Sequence, residues 1–167
     1  RDTDQSGIAL LNFWGGSNFN IKNCWFQNNK YVAVQLIAGV SNVLVDGCRF
    51  EACDVGVTQI GTYPASDVII RNTFFSGLSS VNSFTNFASE PIGVQNDGSN
   101  GACERWTIDG CVFEHKFTNA IAISGSGTSE YGDERIIASD WTIRNITLRD
   151  MVGGVKISNA KRITISN

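Results

Sequence analysis

No stretch of this chain is apolar for long enough to cross a bilayer, so no membrane insertion is expected. Charge is scarce as well. Only 17% of residues are charged, low for a small globular surface, and the net charge of -3 leaves no basic field to attract nucleic acid. Proline occurs twice against seventeen glycines, a balance that suits many tight turns. The five cysteines are odd in number and none falls in a Cys-x-x-Cys pair, so the spacing offers no metal site. There is one histidine, His115, in Glu114-His115-Lys116, which reads as a surface turn rather than an acid or base. No signal peptide is visible, which leaves the compartment open, because a mature or excised chain would have lost one.

What is present is an internal repeat. Trp106-Thr-Ile-Asp-Gly-Cys-Val-Phe113 is echoed by Phe19-Asn-Ile-Lys-Asn-Cys-Trp-Phe26, Val43-Leu-Val-Asp-Gly-Cys-Arg-Phe50, Val68-Ile-Ile-Arg-Asn-Thr-Phe-Phe75 and Trp141-Thr-Ile-Arg-Asn-Ile-Thr-Leu148, with Ile163-Thr-Ile-Ser-Asn167 a truncated copy. A second phrase, small-aliphatic-x-apolar, falls between these copies. It reads Gly7-Ile-Ala-Leu10, Ala33-Val-Gln-Leu36, Gly56-Val-Thr-Gln59, Gly93-Val-Gln-Asn96, Ala120-Ile-Ala-Ile123 and Gly154-Val-Lys-Ile157. Both phrases alternate with period two, the mark of strands with one buried face, and their Val, Ile and Thr content opposes helix. Asn23, Gly47, Asn72, Gly110, Asn145 and Asn167 share one slot, where residues tolerant of a left-handed backbone predict a sharp bend.

Three short strands per repeat with one tight bend predict an all-β chain coiled as a single-stranded parallel β-helix of about six rungs. Residues 1–167 then form one domain. Equivalent positions are Ile21, Val45, Ile70, Ile108, Ile143 and Ile165, spaced by 24, 25, 38, 35 and 22 residues. The longer intervals hold insertions at 79–90, 96–105 and 124–140, all flanking the first strand. The residue before each bend is Lys22, Asp46, Arg71, Asp109, Arg144, then Ser166, so charges alternate down the stack and pin its register. Cys24, Cys48 and Cys111 share an inward slot and are expected as buried free thiols, and Phe26, Phe50, Phe75, Phe113 and Leu148 as an internal stack. Neither end carries an amphipathic cap, so the chain reads as a segment of a longer solenoid or one that meets partner chains.

The pattern small-Val-x-Ile … Asn-Val-x-Ile-x-Asn-Cys-x-Phe resembles the right-handed parallel β-helix of the pectin-lyase-like superfamily, from about Gly7 to Asn167. Members of that superfamily include polysaccharide lyases, polygalacturonase-like hydrolases, epimerases, phage tailspikes and adhesins, so the resemblance speaks to fold more than to activity. It implies a substrate lying along the first strand. The outward residues there are Ala9, Gln35, Thr58, Gln95, Ala122 and Lys156, followed one step on by Leu11, Ile37, Ile60, Asp97, Ser124 and Ser158. Asp2-Thr3-Asp4 aside, the hydrolase motifs Asp-Asp, Gly-His-Gly and Arg-Ile-Lys are missing. Calcium is the one ion the resemblance raises. The chain supplies no carboxylate set for it, and no cofactor or metal is expected.

The expected substrate-binding residues are Gln35, Thr58, Gln95, Asp97 and Lys156, whose amides, hydroxyl and charges suit sugar hydroxyls; a ligand-free amide ladder is the alternative. Glycoside hydrolysis uses two carboxyl groups about 5 to 9.5 Å apart. The catalytic candidates are Asp97, Glu104, Asp133 and Glu134, which sit with Glu130 in the long segments after the first strand; solvated loop charge is the bland reading. Outward Trp25 and Phe74, with loop residues Tyr63, Phe84, Phe87 and Tyr131, are sugar-stacking or protein-packing aromatics. Outward Leu44 and Ile69 suggest a subunit contact. Together these point to a polysaccharide-recognising protein of phage-tailspike type with depolymerising activity. The expected partners are a polysaccharide or cell-surface glycan and two further copies in a homotrimer, and the expected location is extracellular or on a virion surface. A secreted lyase or hydrolase, and a structural shaft or adhesin, are the alternatives.

Overall fold

The computed structural model describes residues 9–77, 90–95, 98–115, 117–123 and 135–167, apart from the side chains of Lys30 and Gln95. These residues form β1 (Leu11–Trp14), β2 (Ser17–Lys22), β3 (Trp25–Ile37), β4 (Ser41–Asp46), β5 (Arg49–Ile60), β6 (Ser66–Arg71), β7 (Phe74–Ser76), β8 (Ile92–Gln95), β9 (Cys103–Glu104), β10 (Thr107–Asp109), β11 (Val112–Glu114), β12 (Ile121–Ile123), β13 (Ala138–Arg144), β14 (Thr147–Arg149), β15 (Val155–Ile157) and β16 (Ala160–Ser166), with no helix among them. The strands make two parallel sheets that curl partway toward a half-barrel. The seven-stranded sheet runs β16-β13-β10-β6-β4-β2, with β9 beside β13. Every path member carries a copy of the x-Ile-x-Ile phrase, and the expected equivalence holds pair by pair from Ile21↔Val45 through Ile143↔Ile165.

The other sheet has nine strands and differs from the expectation of separate third and first strands. β3 and β5 run from one phrase into the next without a break. At the corner a single residue turns left-handed instead, Asn28 at φ 55° and Ala52 at φ 50°. One left-handed residue redirects the strand while the ladder on either side continues. The third-strand and first-strand copies thus share one sheet.

Inward side chains stack in columns. Phe26, Phe50, Phe75 and Phe113 lie ring on ring with centroids 4.6, 4.8 and 5.1 Å apart and planes within 10°. Such contacts are each worth about 0.5–1.5 kcal/mol beyond area burial. Trp106 and Trp141 form a second stack at 4.5 Å. Their indole N–H groups donate to Ala65 O (2.9 Å) and Cys103 O (3.0 Å), so both rings are buried without an orphaned donor. The five cysteines form no disulfide with one another; Cys48, Cys53, Cys103 and Cys111 are buried, while Cys24, at the end of its column, is exposed. Burial pushes the thiols of Cys53 and Cys111 up to about 11.

The bend slot ties neighbouring strands together. Asn23, Gly47, Asn72, Gly110 and Asn145 all have positive φ, between 49° and 63°. Acid precedes glycine and base precedes asparagine: Asp46-Gly47 and Asp109-Gly110 alternate with Lys22-Asn23, Arg71-Asn72 and Arg144-Asn145. The alternation has a geometric cause. Arg71 Nη2 and Asn72 Nδ2 both donate to the Asp46 carboxylate, at 2.8 and 3.2 Å. Arg144 and Asn145 do the same to Asp109, at 2.9 and 2.8 Å. The hydrogen bonds from those side chains hold both carboxyls below their usual range. An asparagine amide therefore lies against the next bend, where a Cβ on Gly47 would sit 2.6 Å from Asn23 Oδ1.

This predicts a difference between two glycines of like φ. Gly39 (φ 75°) has nothing within 4 Å of its Cβ position. Gly39→Ala should lose only the left-handed backbone cost of about 1–2 kcal/mol, and Gly47→Ala more. Asn23→Gly should erase that excess in a urea-unfolding double-mutant cycle. Equal costs for the two alanines would refute the coupling.

Candidate functional site: a buried carboxyl on the first-strand face

The outward row of the first-strand section runs Asn12, Gln35, Thr58, Gly93, Ala122, Lys156, each paired with the next. Two members differ from the sequence expectation. Val57 pairs with Ile92 and Ile60 with Gln95, so Gly93 takes the place foreseen for Gln95. Gly56 and Val57 N–H both donate to Pro91 O, which sets this frame. A slip of two residues keeps every side chain on its own face, so alternation alone could not detect it. At the start, Leu11 pairs with Val34, which puts Asn12 in the row, and Ala9 is buried. Here the positive-φ pair Gly15-Gly16 closes β1 as Ala38-Gly39 closes β3; counting back from that bend gives the observed frame.

The middle of the row is small and covered. Thr58 is buried, and its hydroxyl donates to Gly93 O at 3.1 Å; Ala122 is fully buried. Into this shallow trench folds Glu90, only 7% exposed. Its Oε2 lies 3.8 Å from the point a Cβ on Gly93 would occupy, and Thr58 Oγ1 lies 3.3 Å from the same point. A side chain reaching beyond Cβ at position 93 would compete with the carboxyl for that space. Asn119 Nδ2 donates to Glu90 Oε1 at 3.2 Å. Desolvation raises the Glu90 pKa, opposed by the Asn119 hydrogen bond and by the charge of Lys156. Asp54, also buried, lies on the same strand as Thr58.

The sequence candidates distribute as follows. Gln35 is half-buried in the row, Thr58 is buried in it, and Lys156 is exposed in it. Glu104 lies in the other sheet, where its carboxylate accepts from Arg105 Nη1 (2.6 Å) and Ser139 Oγ (3.4 Å), so it is not brought to this face. Asp97, Asp133 and Glu134, with Glu130, Tyr131, Phe84 and Phe87, lie outside the described residues, as does the side chain of Gln95. Leu44 and Ile69 floor an open groove of about 420 Å³ on the seven-stranded sheet, rimmed by Asn42, Thr107 and the Asp67–Arg105 pair. Sequence reasoning passed over Glu90, Asn119 and Asp54. Asp54 carried a readable signal, a charge inside an otherwise apolar strand; Glu90 carried none, being the last residue of an insertion. Among the described residues no three His, Cys, Asp or Glu side chains converge on a metal position.

No family model, curated protein or solved structure matches this chain. The chemistry is therefore argued from the side chains. A carboxyl whose proton desolvation holds more tightly can donate it to a leaving oxygen, and an ammonium further along the row can hold an anionic or hydroxylated group.

The sign of the Glu90 effect is testable. Its folded pKa is raised above the ordinary 4.5, so the folded state loses stability as pH rises through that folded pKa, and the penalty is absent below the unfolded value. Glu90→Gln keeps the Asn119 hydrogen bond and removes the charge. The variant should unfold at higher urea than the parent at about pH 7, and the gap should close at about pH 3.5. A parent more stable than the variant at neutral pH would contradict the desolvated carboxyl.

Proposed function

We propose that this chain is a right-handed parallel β-helix, with three strand segments per rung, that recognises a polysaccharide along its first-strand face in the manner of a phage tailspike. The observation that carries the reading is the trench of Thr58, Gly93 and Ala122 holding the buried Glu90 carboxyl against Asn119, with Lys156 two strands along the row. A structural shaft has no use for a carboxyl under glycine, because burying it costs stability. A depolymerase does, because a protonated carboxyl serves as general acid toward a glycosidic oxygen. In this reading Glu90 is the acid, Lys156 and Gln35 bind sugar substituents at the two ends of the row, and Asn119 orients the carboxyl. A hydrolase also needs a second carboxylate, for which Asp97, Asp133 and Glu134 are the candidates the sequence offers. A homotrimer at a virion or extracellular surface would use the Leu44–Ile69 groove on the opposite sheet for its subunit contact.

The test is turnover on a panel of neutral and acidic polysaccharides, read as reducing-end release and as unsaturated product. Glu90→Gln should lower the rate by about 10²-fold or more, with an unchanged circular dichroism spectrum. Lys156→Ala should raise KM more than it lowers kcat. A Glu90→Gln variant at the parent rate would remove the catalytic reading. A panel with neither turnover nor retention of any polysaccharide would leave the chain a shaft.

A further inference from the structure

We propose that the outer face of the third-strand section, centred on Trp25, is a second carbohydrate subsite that takes a neutral pyranose ring. Trp25 opens β3, faces Arg49 on β5, and Arg49 faces Phe74 on β7. The indole is 63% exposed, so its own chain does not use it for packing. Its orientation is nevertheless held. Trp25 Nε1 donates to Glu51 Oε2 at 2.9 Å. Glu51 Oε1 accepts from Arg49 Nε at 2.6 Å, and the Arg49 guanidinium lies over the Phe74 ring, 4.3 Å from its centroid. One network thus crosses three adjacent strands and ends on an exposed aromatic plane.

Each part has a use in sugar recognition. An indole fixed at its N–H loses little freedom when a ligand stacks on it, which removes part of the ordering cost of binding. The C–H face of a pyranose is apolar and fits the ring, while its rim hydroxyls meet a carboxylate that accepts and a guanidinium that donates. Phe74 acts as a prop, since its face is occupied by Arg49. The charge balance selects the sugar. Arg49 and Glu51 form an ion pair, so the face offers no net charge, and a uronate would have to displace Glu51 from Arg49. A neutral hexose has no such competitor.

The subsite is spatially separate from the Glu90 trench. Trp25 and Gln35 belong to one strand but lie on opposite sides of the left-handed corner at Asn28. Binding at Trp25 needs neither the buried carboxyl nor turnover, so its failure leaves the Glu90 reading standing.

The experiment is calorimetric titration of the full chain with cellohexaose, maltohexaose and hexagalacturonate, paired with sedimentation velocity. At least one neutral hexaose should bind. Trp25→Ala should weaken that affinity by about tenfold or more, the loss of one aromatic contact. Trp25→Phe should recover part of it, and hexagalacturonate should show no dependence on position 25. Unchanged affinity in Trp25→Ala overturns the proposal, as does the absence of binding by both neutral hexaoses. A shift of Trp25→Ala to a smaller sedimenting species without loss of sugar affinity also overturns it, and assigns the face to a second copy of the chain.

Discussion

Each bend in this chain fits only against its neighbours. A left-handed residue is needed where the second strand turns into the third, and both glycine and asparagine supply it. Stacking then makes the two unequal. An asparagine amide reaches across to the aspartate of the adjacent strand, as Asn72 does to Asp46 and Asn145 to Asp109, and it lies where a neighbouring side chain would begin. Asn72 thus faces both ways, donating to Asp46 before it while its Oδ1 lies 3.1 Å from the point a Cβ on Gly110 would occupy, so glycine suits the bends that follow Asn23 and Asn72. This packing accounts for the alternation of Asp-Gly with Lys-Asn and Arg-Asn at the first five bends.

The same requirement explains what was legible in the sequence. Ile21, Val45, Ile70, Ile108, Ile143 and Ile165 align in the structure as they do in the repeat, because charge sign, bend residue and alternation all specify one frame there. The first-strand section has no such marker. Its phrase is only small-aliphatic-x-apolar, and Ile92-Gly93-Val94 satisfies it in two frames differing by two residues. Burial cannot choose between them, since Ile92 and Val94 are both fully buried. The choice falls to Pro91 O, which accepts from two backbone N–H groups and draws Ile92 opposite Val57. Likewise the sequence pattern divides the long β3 and β5 into separate strands, because Asn28 and Ala52 give no sign that the ladder passes through a left-handed corner.

The candidate site depends on that ambiguous frame. With Gly93 rather than Gln95 in the outward row, the trench is floored by a residue without a side chain, and the Glu90 carboxyl lies where an amide was expected. A carboxyl there is costly, and the surroundings only partly offset it: one hydrogen bond from Asn119, and Lys156 two strands away along the row. Local stability is given up at Glu90, and among the described residues Asn29 Nδ2 and Gln59 Oε1 are buried without a hydrogen-bond partner. Such a departure is expected where a surface has a chemical task.

The most direct test is the ionisation of Glu90 itself, followed by NMR through its labelled side-chain carboxyl carbon across the acid range. The account predicts a midpoint above the ordinary glutamate value of 4.5, moving back toward that value when the longer side chain of Gly93→Leu crowds the carboxyl out of the trench. A midpoint at or below 4.5 in the parent chain would mean that desolvation does not dominate at Glu90, and would contradict the site built on it.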